Sequence, residues 1–267
     1  MATQQADPLA DFESGSFAFD GKDRSVYRLG DGPGVVIMAE VPGITPRVAD
    51  FARRVAGEGL TAVLPHLFGT PGAPPSAGTY LRTIGPLCVS KEFAMFAKRT
   101  TPPAIDWLRA LCRETHERCG GPGVGAVGMC FTGGFALAMA TEPALLAPVL
   151  SQPSLPVGRS RAARSDLGLS DADLLTVRER AAEDDLCVLG LRFSGDALSP
   201  PERFASLRRE LGDNFIGVEL DSSAGNPDGH RTKAHSVLTE DLDDRPGTPT
   251  HDALEQVLTF LTERLRP

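Results

Sequence analysis

Val127-Gly128-Met129-Cys130-Phe131-Thr132-Gly133-Gly134 is the stretch on which the reading of this chain turns. It continues the short apolar run that starts at Val124, just after Gly120-Gly-Pro-Gly123, and leads into the apolar segment Gly133 to Ala140. A glycine-bounded apolar run of this length has the pattern of a strand buried on both faces. The octet therefore joins a buried strand to a buried helix through a tight turn, with a cysteine at the bend. Glycine at 128 and at 133 or 134 removes Cβ atoms where turn and helix crowd the strand. A side chain at such a bend projects above the sheet. Unpaired amides at the start of the following helix favour a thiolate, and the amide of Phe131 can point at a developing oxyanion. The plain alternative is an ordinary strand-to-helix turn with a buried cysteine.

The same alternation runs outward from this turn. Upstream, Ser16-Phe19 and Arg24-Leu29 alternate in polarity around Asp20-Gly21-Lys22, a hairpin signal. Gly34-Val-Val-Ile-Met-Ala-Glu40 and Thr61-Ala-Val-Leu-Pro65 read as buried strands, separated by a helix over Pro46–Glu58 whose apolar face is Val48, Phe51, Ala52 and Val55. Strand, helix, strand in that order implies a parallel sheet with a right-handed crossover. Residues 66–101 are rich in Gly and Pro, with a predicted helix near Lys91–Lys98, and a connection of that length is usually functional. Helix Pro103–Arg118 precedes the central strand. Downstream come strands at 147–151, 187–193 and 215–220, and helices at 200–211 and 252–265. Residues 155–185 read as an insertion at the sheet edge that covers the active site, with a helix from Ser170 to Ala182, Ser170 as N-cap and Asp173 as its reciprocal partner. Residues 1–14 are predicted to be a loose segment and 15–267 a single α/β domain.

Chain order supplies a second line of argument. In α/β-hydrolases the nucleophile is followed by an acid and then a histidine. Here strand 187–193 ends in Ser194-Gly195-Asp196, which puts an acid on the carboxyl rim of the sheet beside the cysteine. The loop after strand 215–220 carries His230 and His235, and His235 is the better placed of the two. A turn aspartate and a solvated loop histidine are the ordinary readings of each residue alone. It is their order, each at a strand end, that argues for chemistry. Glu40 ends the strand 34–40, and the amide of Val41 is the candidate second oxyanion donor.

Composition limits the partners. The formal net charge is −8, which argues against a broad nucleic-acid or anionic-membrane surface. No apolar run approaches the roughly 20 residues that span a bilayer, and the first residues have no secretory pattern. The five cysteines, an odd and scattered set, point to a reducing, cytoplasmic setting rather than a disulfide framework. Cys112, His116 and Cys119 share a helix face, but no fourth ligand lies nearby in sequence, and no metal is predicted there.

Together, Met38-Ala-Glu40-Val-Pro-Gly43, Gly57 to Pro65, Gly128-Met-Cys130-Phe-Thr-Gly133-Gly134, Ser194-Gly195-Asp196 and Ala234-His235-Ser236 resemble the dienelactone hydrolase family over roughly residues 15 to 265. The resemblance implies an α/β-hydrolase fold and a Cys130–His235–Asp196 triad. It implies that Glu40 contacts the resting thiol and helps to activate it. It further implies cleavage of a small ester or lactone through an acyl-enzyme thioester, with no metal or organic cofactor. Three positions depart from the family pattern. Thr132 stands where glycine is frequent. Thr239 stands where an arginine would hold a substrate carboxylate, leaving Arg82 or Lys91 as candidate substitutes. The insertion lengthens the path from nucleophile to acid. A binding protein without turnover would usually have lost one member of the triad. An acyltransferase or thioesterase would use the same residues. The oligomeric state is left open.

Overall fold

The computed structural model describes residues 7–93 and 97–266. Strands β1 (Glu13–Phe19) and β2 (Lys22–Leu29) form the hairpin, turned at Asp20 and Gly21, both with positive φ as a two-residue turn of this kind requires. Then follow β3 (Gly34–Met38), α1 (Pro46–Gly57), β4 (Thr61–Pro65), α2 (Ala77–Val89), α3 (Ala104–Cys119) and β5 (Val124–Met129). After a 3₁₀ turn over Cys130–Thr132 come α4 (Gly133–Met139), β6 (Leu145–Ser151), α5 (Arg161–Arg164), α6 (Asp171–Glu183), β7 (Val188–Phe193), α7 (Pro201–Leu211), β8 (Phe215–Leu220) and α8 (Pro249–Leu265).

The eight strands make one sheet in the order β1-β2-β4-β3-β5-β6-β7-β8. The pairs β1–β2 and β2–β4 are antiparallel and all the others are parallel. The central strands feed two cores. Val36 and Met38 of β3 enter the core shared with α3, α4 and α7, while Val35 and Ile37 enter the one shared with α1 and α8. That alternation explains why the strand is apolar throughout: both faces of the sheet are covered. The carboxyl ends of the strands coincide, with Met38 beside Gly128, Met129 beside Ser151, and Ser151 beside Leu191. The chain leaves β3 for β4 on one side and later enters β5 on the other. The ends of β3 and β5 therefore flank the topological switch point, where open parallel sheets hold their sites.

Four sequence expectations about the fold change. Of the segment 1–14 predicted to be loose, residues 1–6 lie outside the described residues, and the rest is docked. Leu9 and Phe12 are buried in the core of α1 and α8. Arg53 of α1 donates to the Pro8 carbonyl at 2.6 Å and to Asp11 at 2.7 and 2.8 Å. Two apolar side chains in a polar stretch sufficed to anchor it. The helix predicted near Lys91–Lys98 is not seen at 91–93, which is a turn, and 94–96 lie outside the described residues. The helix of this region is α2, whose start is a capping box: Thr79 N–H donates to Ser76 Oγ at 3.1 Å, and Ser76 N–H donates to Thr79 Oγ1 at 2.8 Å. The insertion 155–185, predicted to cover the active site, packs instead on α4 and α7.

Buried arginines fix that insertion. Arg203 of α7 is 2% exposed and donates to the carbonyls of Pro153, Pro156, Ala163 and Asp166 at 2.7–3.0 Å. Arg180 of α6 donates to the carbonyls of Ala140, Glu142 and Leu145, closing the orphaned end of α4. Ser170 caps α6 by accepting from Asp173 N–H at 3.1 Å, but Asp173 is not the reciprocal partner. Ser170 N–H donates to Thr101 Oγ1, a contact between segments far apart in sequence.

Candidate active site

The bend after β5 is held open by the absence of side chains and closed by one hydroxyl. Cys130, at this strand-to-helix turn, has φ +52°, an unusual conformation for a residue with a side chain. A Cβ on Gly128 would lie 2.2 Å from the Thr132 carbonyl oxygen, and one on Gly133 would lie 2.5 Å from Pro153 Cα, so both positions require glycine. Gly134 has ordinary room. Thr132, the departure from the family pattern, is fully buried. Its hydroxyl accepts from Met129 N–H at 3.0 Å and donates to the Met38 carbonyl at 2.8 Å, bracing the bend against the end of β3. The helix that follows, α4, has only seven residues and begins after a 3₁₀ turn, so neighbouring side chains dominate the field at the sulfur.

Cys130 is partly exposed, whereas Cys112 and Cys187 are buried. Burial pushes the Cys112 thiol up to about 12 and raises those of Cys119 and Cys187. His235, in the loop after β8, presents Nδ1 to Asp196 Oδ2 at 2.7 Å. Its Nε2 is buried and has no hydrogen-bond partner among the described residues. A ring nitrogen of His235, the Cys130 sulfur and a Glu40 oxygen lie within 4.8 Å of one another. Burial alone would lower the imidazole, but the Cys130 thiolate and the Asp196 carboxylate outweigh it and raise it, favouring the imidazolium. Asp196 is itself fixed by accepting from Leu198 N–H at 2.9 Å. His230, the other loop histidine, is elsewhere: its Nδ1 meets the Asp221 carbonyl at 2.8 Å and its ring packs edge-on against Phe193.

Glu40 is buried at the end of β3, beside the thiol but not bonded to it. The expected contact with the resting sulfur is replaced by other donors. Ser236 Oγ donates to Oε2 at 2.6 Å, the Thr239 hydroxyl donates to Oε1, and Gln152 Nε2 reaches Oε2 at 3.4 Å. Burial raises the Glu40 carboxyl, and the two hydroxyls and the charge of His235 offset part of that rise. Glu40, Cys130 and His235 are the acid, thiol and imidazole that could converge on a metal ion. Both Glu40 oxygens already accept from hydroxyl donors. Cys112, His116 and Cys119 do not form such a group among the described residues; His116 Nε2 instead meets the Gly121 carbonyl at 3.1 Å.

The Val41 amide has no hydrogen-bond acceptor among the described residues. Its loop is pinned by Gly43 N–H donating to the Glu40 carbonyl at 2.7 Å and by Thr83 Oγ1 of α2 reaching the Pro42 carbonyl at 3.3 Å. Phe131, whose amide is the other oxyanion candidate, packs its ring edge-on against Phe68, Phe93 and Phe135, giving the bend an apolar floor. Neither Arg82 nor Lys91 has a hydrogen bond or ion pair to Cys130, His235 or Glu40 among the described residues. Both are exposed, and Arg82 lines a cleft of about 160 Å³ with Pro42, Thr79 and Thr83, whose lining excludes Cys130 and His235. Sequence reasoning missed Gln152, Ser154 and Asp241. Gln152 follows β6 on the same rim, so its strand-end position was the available signal. Ser154 Oγ lies 3.6 Å from Cys130 Sγ, and its N–H donates to the Cys130 carbonyl. Asp241 Oδ2 accepts from the backbone N–H groups of His235 and Ser236 at 2.8 and 3.1 Å, shaping the histidine loop.

A sheet in this strand order, with a strained residue at the bend after β5, an acid after β7 and a histidine after β8, defines an α/β-hydrolase fold. The profile of the Dienelactone hydrolase family matches residues 24–157. The chain belongs to that family. No curated protein matches it in sequence. Among solved structures it is similar to a protein from Klebsiella pneumoniae subsp. pneumoniae described as a candidate dienelactone hydrolase, with TM-score 0.59 and 17% identity over 94% of this chain and 99% of that one. It is also similar to the dienelactone hydrolase-like promiscuous phosphotriesterase P91 from metagenomic libraries, with TM-score 0.60 and 16% identity over 95% and 98%. A thioesterase domain from the curacin biosynthetic pathway aligns with TM-score 0.55 and 11% identity over 93% and 99%. At these identities the likeness is one of fold.

Proposed function

We propose that this protein is a cysteine hydrolase that cleaves a small ester or lactone through an acyl-enzyme thioester. The observation that carries the proposal is Cys130 at a strained bend, near an imidazole that Asp196 orients at 2.7 Å. The Cys130 thiolate adds to the carbonyl carbon, and the carbonyl electron pair moves to oxygen. The Phe131 and Val41 amides are the donors for that oxyanion. Collapse breaks the bond to the leaving oxygen, which takes its proton from His235 and departs as the alcohol, or stays tethered if the substrate is a lactone. Water then adds to the thioester and gives a proton to His235, and collapse returns the thiolate and the carboxylic acid. Asp196 keeps Nδ1 protonated so that Nε2 faces the reacting atoms.

Against burial, the Cys130 sulfur and the Asp196 carboxylate beside His235 raise its imidazole, which favours the imidazolium that later protonates the leaving oxygen. The test is hydrolysis of 4-nitrophenyl acetate and butyrate by the full chain and by Cys130→Ala, with intact mass measured during turnover. Ester cleavage that Cys130→Ala abolishes, with an acyl adduct on the Cys130 peptide, is the expected result. Cleavage that survives Cys130→Ala overturns the assignment.

A further inference from the structure

The Glu40 side of the site, within 4.8 Å of the Cys130 sulfur, is built to carry negative charge. Glu40 is 4% exposed, and Ser236, Thr239 and Gln152 all donate to it. An ionised carboxylate is an acceptor only, and a set of three donors suits that form. Position 239, which a cation could occupy, holds a threonine that is 1% exposed and whose hydroxyl is committed to Glu40. The same loop adds Glu240, which the charge of Arg47 partly offsets, and Asp241, which pairs with Arg231. The Tyr80 phenol of α2 is raised by burial, then by Glu40, Glu240, Cys130 and Asp241 in turn.

We propose that the acyl group accepted at Cys130 is uncharged, and that Glu40, held by Ser236, Thr239 and Gln152, excludes acyl groups that carry a carboxylate. The acyl part of this statement rests on the hydrolase reading, but charge selection at the sulfur is measurable without turnover. A fixed charge within several ångströms, in a partly desolvated site, acts on an incoming anion with little screening. The floor beside Cys130 offers phenylalanine rings rather than a counter-ion. Glu40 is faced by Cys130 from the bend, by His235, Ser236, Thr239 and Glu240 from the histidine loop, and by Gln152 from the end of β6.

The experiment compares alkylation of Cys130 in the full chain by iodoacetamide and by iodoacetate, reagents of nearly equal size. In both, the thiolate forms an S–C bond as the C–I bond breaks and iodide leaves. Rates are read by mass spectrometry on the Cys130 peptide, and their ratio is normalised to that of glutathione. The expected ratio favours iodoacetamide at least tenfold more than glutathione does, and the preference grows as pH rises through the raised Glu40 titration. Glu40→Gln lowers it severalfold. Thr239→Val, which removes a donor and so favours neutral Glu40, lowers it too, whereas Thr239→Ser retains it. A ratio equal to that of glutathione, or one that Glu40→Gln leaves unchanged, overturns the proposal. So does a preference for iodoacetate that Arg82→Ala removes. A protein that cleaves no ester, yet whose alkylation ratio still follows Glu40, removes the hydrolase reading and leaves charge selection standing.

Discussion

The Thr132 hydroxyl donates to the Met38 carbonyl at 2.8 Å, so the bend that carries Cys130 is tied to the end of the strand that leads into Glu40 and Val41. Because the same oxygen accepts from Met129 N–H, one side chain sets the spacing between Cys130 and the Val41 amide. Thr132→Val keeps the volume and strands a buried carbonyl and amide, at a cost of about 1–3 kcal/mol. Thr132→Ser should restore most of that stability and most of the esterase rate. Urea denaturation and kcat/KM on one neutral ester check both outcomes.

Gly128→Ala places a methyl 2.2 Å from a backbone oxygen that has nowhere to go. It should lower stability by about 3 kcal/mol or more and abolish activity. At Gly134, six residues on, the nearest atom to an added Cβ is the Leu167 carbonyl oxygen at 3.5 Å. Gly134→Ala lies in helix α4 and should be neutral or stabilising by roughly 0.5–1 kcal/mol. Equal effects at the two positions would show that the bend does not need a bare backbone at 128.

Asp196→Asn keeps the shape beside His235 Nδ1 and removes the charge that favours the imidazolium. The fold should persist and kcat should fall by about 10²- to 10⁴-fold. The raised His235 contributes stability that is fully present below the ordinary imidazole range and is lost as pH rises through the folded value. The destabilisation caused by Asp196→Asn should therefore be largest in acid-to-neutral buffer and shrink in alkaline buffer. Thermal melts across that range decide it.

Glu40 has the opposite consequence. Burial raises its carboxyl, so the folded state holds the proton more tightly than the unfolded chain, and ionisation of Glu40 in the fold costs stability as pH rises above the ordinary glutamate range. Glu40→Gln should melt higher than the wild type at pH 8, by roughly 2–4 °C for a change of about 1 kcal/mol in a domain of this size. The difference should vanish near pH 4. A variant less stable than wild type at pH 8 would show that the hydrogen bonds of Glu40 outweigh the cost of its charge.

Much of this architecture is legible in the sequence because the parallel strands are buried on both faces and therefore read as unbroken apolar runs between glycines. Cys130, Asp196 and His235 are legible for a related reason. Strand ends fall on one rim, so chain order alone brings the three residues together. Helix α2 escaped because Gly78, Gly85 and Pro86 lie within it, and its start depends on a reciprocal pair, Ser76 and Thr79, in a stretch that otherwise reads as loop. The docking of residues 7–12 escaped because it rests on two apolar side chains and a distant arginine. The environment of Glu40 could not be read at all. Its donors come from Gln152 and from two residues of the histidine loop, and only the folded register brings them to one carboxylate.

Arg203 has a consequence for anyone who would redesign this protein. Its guanidinium replaces water for four carbonyls of the segment after β6, the one that also carries Ser154 to the sulfur. Burial already pulls that guanidinium down to about 10. A shortened chain that excised residues 157–168 would remove the Ala163 and Asp166 carbonyls, two of the four acceptors of that guanidinium. Such trimming succeeds only together with an apolar residue at 203, which makes the two segments a single heritable unit.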